Sequence, residues 1–77
     1  MTRVQLQRED PARNMRRFYI LDIQPSLFGG YTLVREWGRI GQAGTVRMSS
    51  FTTHNEAATA LRLQQLLKEK RGYRTRN

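Results

Sequence analysis

One tryptophan, two arginines and three glycines fall within ten residues, Arg35-Glu36-Trp37-Gly38-Arg39-Ile40-Gly41-Gln42-Ala43-Gly44. An indole beside guanidinium groups suits one kind of chemistry well. The ring stacks on a sugar or a base while the guanidinium groups hold phosphate. The same stretch could pass for a glycine-rich phosphate loop. Such a loop needs a helix directly after it, so that backbone N–H groups and the helix dipole face the phosphate. Here Thr45-Val46-Arg47-Met48 follows, which is a strand pattern. The glycines are therefore expected at turns and bulges.

Other chemistries find little support. The chain has no cysteine and a single histidine, His54, so a Cys-His dyad and a thiolate or His-rich metal site are excluded. His54 falls at the start of an expected helix, where the positive helix end disfavours its protonated form. The acids Glu9, Asp10, Asp22, Glu36, Glu56 and Glu69 are scattered, without the cluster a two-metal site requires. Ser49-Ser50 lies inside a strand pattern and not at a strand-to-helix elbow. No enzyme activity, metal or cofactor is expected.

The elements that must position Trp37 can be traced in chain order. Val4 and Leu6 alternate with polar residues as a short strand does, and Asp10-Pro11 closes it. Pro11 to Arg17 is a basic connection, and Phe18 to Ile23 is a strand rich in aromatic and β-branched residues. Pro25 to Gly30 is a turn, in which Leu27 and Phe28 are expected to cap the edge of the core. Tyr31 to Ile40 forms the third strand, and Thr45 to Phe51 returns antiparallel to it. Thr53 and Glu56 make a capping box for a helix whose apolar stripe is expected to be Ala57, Ala60, Leu61, Leu63 and Leu67. Lys68 and Lys70 sit in its last turn, and Gly72 is the natural residue just past its end. Arg74 to Asn77 is expected to be a basic tail. The fold class is α+β: an antiparallel sheet of about four strands, covered on one face by a single C-terminal helix. One domain is expected over residues 1–77, with its core at about 3–73.

On the third strand, Trp37 shares parity with Arg35, Arg39 and Leu33. Burying Arg35 and Arg39 without partners would be costly, which favours an exposed platform. A strand tryptophan in a small domain is nonetheless commonly part of the core. Parity alone leaves both readings open.

Charge then points to partners. Lysine and arginine number 14 against six acids, a formal charge of +8, and twelve of the 14 are arginine. A field of that size on so small a surface favours polyanions, and arginine grips phosphate with a planar fork. The N-terminal residues lack the apolar core of a signal peptide, and no run approaches the length of a membrane span. The expectation is a soluble, monomeric, cytoplasmic protein without membrane contact, associated with the nucleoid if bacterial.

Trp37-Gly38-Arg39, followed by Ile40-Gly41 and Gly44, resembles the signature of WGR domains, found in DNA-break-dependent poly(ADP-ribose) polymerases and as small bacterial proteins. Asn14-Met15-Arg16-Arg17-Phe18-Tyr19 is similar to the family's entry to its second strand, and the Ala- and Leu-rich helix ending in Lys70-Arg71-Gly72-Tyr73 to its close. The resemblance spans essentially residues 3–73. The resemblance implies a DNA-binding module with Trp37 against a terminal sugar, Arg39 at the backbone or a neighbouring domain, and Asn14, Lys70 and Tyr73 contributing. In the polymerases helical and transferase regions follow this module, so transfer activity is not implied here. With Arg35 and Arg47 added from strand parity and charge, the expected partner is DNA at ends, nicks or gaps, bound without regard to sequence. The alternative is a protein-interaction module that presents Trp37 and Arg39 to an acidic partner protein. RNA is a third candidate, although no strand carries a Gly-Phe-Gly-Phe pattern.

Overall fold

A computed structural model describes residues 2–76. Strand β1 (Thr2–Asp10) leads through a 3-10 turn (Pro11–Arg13) into β2 (Met15–Pro25), followed by β3 (Tyr31–Arg39), β4 (Thr45–Phe51), helix α1 (His54–Lys70) and β5 (Arg74–Thr75). The strands form one sheet in the order β4-β3-β2-β1-β5, with every neighbouring pair antiparallel. The expected α+β fold holds, with a fifth strand where four were expected. The first two strands also run further than their apolar residues suggested. Eleven-residue β2 offers a backbone partner to every residue of β1, from Thr2 opposite Ile23 to Asp10 opposite Met15.

The core lies between α1 and one face of the sheet. Val4 and Leu6 from β1, Tyr19, Leu21 and Ile23 from β2, Leu33 from β3, and Ala57 and Leu61 from α1 are buried together. Alternation puts each strand residue on this face and its neighbours on the other. The opposite face carries Phe18, Ile20, Val34, Val46 and Met48 beside polar residues, among them Asp22, which meets Arg3 at 3.8 Å and accepts from Gln24 Nε2 at 3.0 Å.

Helix α1 begins as its residues dictate. The Thr53 hydroxyl accepts from the Glu56 N–H at 3.2 Å, and the Glu56 carboxylate accepts from the Thr53 N–H at 3.1 Å. Its end is equally specified. Gly72 takes φ 95°, so that the Tyr73 N–H reaches the Lys68 carbonyl at 3.1 Å and the Gly72 N–H reaches that of Glu69 at 3.0 Å. The buried stripe differs from expectation. Ala57 and Leu61 face the sheet with half-buried Ala60, Gln64, Gln65 and Lys68, whereas Leu63 is 57% and Leu67 45% exposed. Leu63 stands two positions from Leu61, about 200° round the helix, so one face cannot bury both.

Two further expectations are corrected. Leu27 and Phe28 do not cap the core: they are 91% and 97% exposed. The turn is closed by the Ser26 N–H on the Gly30 carbonyl at 3.0 Å and the Gly29 N–H on the Ser26 carbonyl at 3.3 Å, which leaves both side chains at its apex, beyond the end of the sheet. Arg74 and Thr75, expected in a tail, pair with Gln7 and Leu6, and the Arg76 N–H donates to the Gln5 carbonyl at 2.7 Å. The reversal at Gly72 returns the chain alongside β1 and makes this pairing available. Asn77, the last residue of that expected tail, lies outside the described residues, as does Met1.

Candidate functional site

Strand register builds the site. Along the helix-covered face, Leu6, Tyr19, Trp37 and Thr45 stand opposite one another on four successive strands. One step toward the end of the sheet, Arg8, Arg17 and Arg39 form the next row, each directly across from its neighbour. On the other side of Trp37, Leu21 faces Arg35, which faces Arg47. Like charges directly opposite in a sheet are destabilising, and here there are three such pairs. Among the described residues the ion pairs are Arg3–Asp22 and Arg13–Asp10, so none of these five arginines has a carboxylate partner there.

Two glycines let β3 and β4 meet beside Trp37. A Cβ on Gly44 would lie 2.6 Å from the Trp37 carbonyl oxygen and 2.8 Å from the Phe18 ring, and one on Gly38 would lie 3.1 Å from the Gly44 Cα. Gly38 keeps regular pairing with Phe18, so it serves close backbone approach and makes no bulge. Gly41, with φ 88°, is the turn residue.

The aromatic floor is ordered. Trp37 stacks on Tyr19 with centroids 5.6 Å apart and planes 12° from parallel, and Tyr73 meets Tyr19 edge-on at 6.2 Å. Tyr19 is buried, whereas Trp37 and Tyr73 are half-buried and keep part of their surface open. The Arg35 guanidinium lies 5.9 Å from the indole centroid. Lys68 Nζ sits 4.7 Å from the Tyr19 centroid and 5.9 Å from that of Tyr73. Burial, and the charges of Arg71 and Arg35 nearby, lower the pKa of the Lys68 ammonium from its ordinary 10.5.

These residues enclose a groove of about 530 Å³ lined by Arg8, Arg17, Tyr19, Trp37, Gly38, Arg39, Lys68, Arg71 and Tyr73. Five of the nine are cationic and none is acidic, so the groove concentrates positive potential over an aromatic surface. Asn14 fixes its rim. With φ 53°, a conformation asparagine tolerates, Asn14 accepts from Arg39 Nη1 at its carbonyl (3.2 Å) and from Arg39 Nη2 at Oδ1 (3.3 Å).

The residues singled out in the sequence thus fall in different places. Trp37, Arg39 and Tyr73 line the groove, Arg35 flanks the indole, and Asn14 holds Arg39. Arg47 is exposed opposite Arg35, and Lys70 is exposed at the end of α1; neither lines the groove. Arg8, Arg17, Tyr19, Lys68 and Arg71 were missed. A signal existed for four of them: Arg8 shares strand parity with Leu6, Arg17 and Tyr19 share parity with Leu21, and Lys68 follows Leu61 by seven positions on the helix. Arg71 depends on where the helix ends.

The chain matches the family model described as WGR domain over residues 2–77, a nucleic-acid-binding type of module. A relative in Sinorhizobium fredii (strain NBRC 101917 / NGR234), named there as the uncharacterized protein y4dW, is 42% identical over 74 residues. That match covers 96% of this chain and 36% of the relative, so the chain spans about a third of its length. No solved structure gives a significant match.

Proposed function

This chain belongs to the WGR domain family, and from that premise we propose that its groove binds DNA at ends, nicks or gaps without reading sequence. The observation that carries this is the row Arg8-Arg17-Arg39 beside the Tyr19–Trp37 stack. Three arginines without carboxylate partners among the described residues suit a run of phosphates, which carry little sequence information. The open part of the Trp37 ring suits a terminal sugar or an unstacked base, which a continuous duplex does not offer. Specificity would then reside in the shape of the break. Asn14 and Tyr19 act here as supports, one aiming Arg39 and the other backing the indole. No chemical step is assigned to the module in this role.

Because Trp37 is the sole tryptophan, its emission reports on the site directly. Nicked duplex, blunt 5′-phosphorylated duplex and closed circular DNA are titrated at several salt concentrations. Emission should change at lower concentrations of the first two than of the third, and Trp37→Ala should weaken binding by roughly 1–3 kcal/mol, the value of one stacked base. Unchanged emission with every DNA, together with full binding by Trp37→Ala, would sink the proposed site. Partners retained from a nuclease-treated lysate by the wild type and lost by Arg39→Gln would point instead to an acidic protein.

A further inference from the structure

Twelve of the chain's 14 cationic side chains are arginine; its lysines are Lys68 and Lys70, in one turn of the same helix. Arginine and lysine are both cationic, but of the two it is the lysine amine that forms an imine with a carbonyl carbon. The two lysines are two positions apart, about 200° round α1. Lys70 is exposed, whereas Lys68 is half-buried and its Nζ lies over Tyr19, on the floor of the groove beneath which Tyr19 and Trp37 stack. Among the described residues no carboxylate pairs with it. An amine held between aromatic rings and surrounded by guanidinium groups is the setting in which a lysine nucleophile is activated, by desolvation and by neighbouring cations.

We infer that Lys68 captures, as an imine, the C1′ aldehyde of an abasic deoxyribose carried by a DNA strand in this groove. The inference rests on the proposed DNA reading of the site. A deoxyribose without its base opens to an aldehyde and also leaves vacant the place a base would occupy, which the Trp37 ring can fill. The ammonium first releases a proton to water. The amine lone pair then forms a bond to C1′ while the carbonyl electron pair moves to oxygen and takes up a proton. The carbinolamine loses water to give the imine, and water reverses the sequence to return both partners unchanged. Arg8, Arg17 and Arg39 would hold the flanking phosphates. The groove lining includes no carboxylate or imidazole to remove a C2′ proton, so the proposed role is reversible capture without strand scission. The lowered pKa of the Lys68 ammonium increases the fraction of free amine near neutral pH and agrees with the geometry without being needed for it.

Borohydride reduces an imine to a stable amine and so tests the proposal. The intact protein is mixed with duplex carrying one abasic deoxyribose, reduced, and the adduct located by mass spectrometry. Binding is measured separately with a duplex carrying the tetrahydrofuran analogue, which has no aldehyde. Wild-type protein should give a one-to-one adduct at Lys68. Compared at concentrations that saturate the analogue duplex for each protein, Lys68→Arg should trap at least about tenfold less than wild type. Equal trapping by Lys68→Arg, or an adduct at Lys70, overturns the inference and leaves the DNA reading standing. Failure of the wild type to bind the analogue overturns the inference alone, since an abasic site interrupts neither strand; failure to bind nicked and blunt duplex as well overturns the DNA reading, and the imine with it.

Discussion

Arg17 is the central member of a row of three arginines, and the structure gives it two opposing roles. Its neighbours across the strands are Arg8 and Arg39, so replacement by glutamine removes two like-charge contacts and keeps part of the aliphatic stem. Each such contact costs about 0.2–1 kcal/mol. Arg17 is exposed, so screening holds the combined relief to about 0.5–1 kcal/mol near 0.1 M salt, where the screening length is about 10 Å. In a domain of this size that corresponds to a Tm about 2–8 °C higher. In 1 M salt the screening length falls to about 3 Å, and most of the gain should disappear. DNA binding should move the other way. Losing one phosphate contact should weaken affinity for all sequences alike and reduce the slope of log K against log salt by about one. Calorimetric melting at 0.1 and 1 M salt and a fluorescence titration over the same range read both quantities from one preparation. A Tm that falls at low salt, or a salt slope that stays the same, would refute the assignment of this row as an anion site held together against its own charge.

Three other outcomes follow from the packing and the charges. Gly44→Ala forces a Cβ to within 2.6 Å of the Trp37 carbonyl oxygen and should destabilise by at least about 2 kcal/mol, whereas Gly41→Ala meets nothing within 4 Å and should cost only the roughly 1 kcal/mol of its positive φ; urea titration compares them. Leu61→Ala removes a buried side chain and should cost about 2–4 kcal/mol, while Leu63→Ala, at 57% exposure, should stay within about 0.5 kcal/mol by the same assay. Lys68 should titrate with a midpoint below 10.5, read by NMR of ¹³C-methylated lysine. Because the unfolded chain then holds more protons than the folded one, its contribution to stability rises as pH increases through the folded midpoint toward 10.5 and then levels off. A midpoint at or above 10.5 would mean that the Tyr19 and Tyr73 rings stabilise the ammonium more than burial and Arg71 and Arg35 destabilise it.

Much of the framework was legible because it follows from local rules. Alternation located β1 and β4, aromatic and β-branched residues marked β2, β3 was read between the flanking turns, the Thr53/Glu56 pair marked the start of α1, and Gly72 marked its end. Parity placed Trp37, Arg35 and Arg39 on one face. What was not legible depends on partners distant in the chain. Strand β5 has two residues and no pattern of its own; it exists because Gly72 turns the chain back beside β1. The leucines of α1 outnumber the places the sheet offers, so periodicity alone could not choose Leu61 over Leu63. The arginine row requires the β1–β2 and β2–β3 registers at once, which no single strand reveals. Gly41 is the turn residue its position suggested, but Gly38 and Gly44 were assigned to the wrong cause, since the need for them arises only when β3, β4 and the Phe18 ring come together.

The β5–β1 pairing also decides how the module can be wired into something larger. Thr2 lies opposite Ile23 at one end of β1, and Arg76 bonds to Gln5 three residues along the same strand, while the groove opens beside Arg8. Both polypeptide leads therefore leave side by side, away from the binding mouth. A flanking segment attached before Thr2 or after Arg76 would start away from the groove, and the whole unit could be spliced into a loop of a host protein without covering that groove.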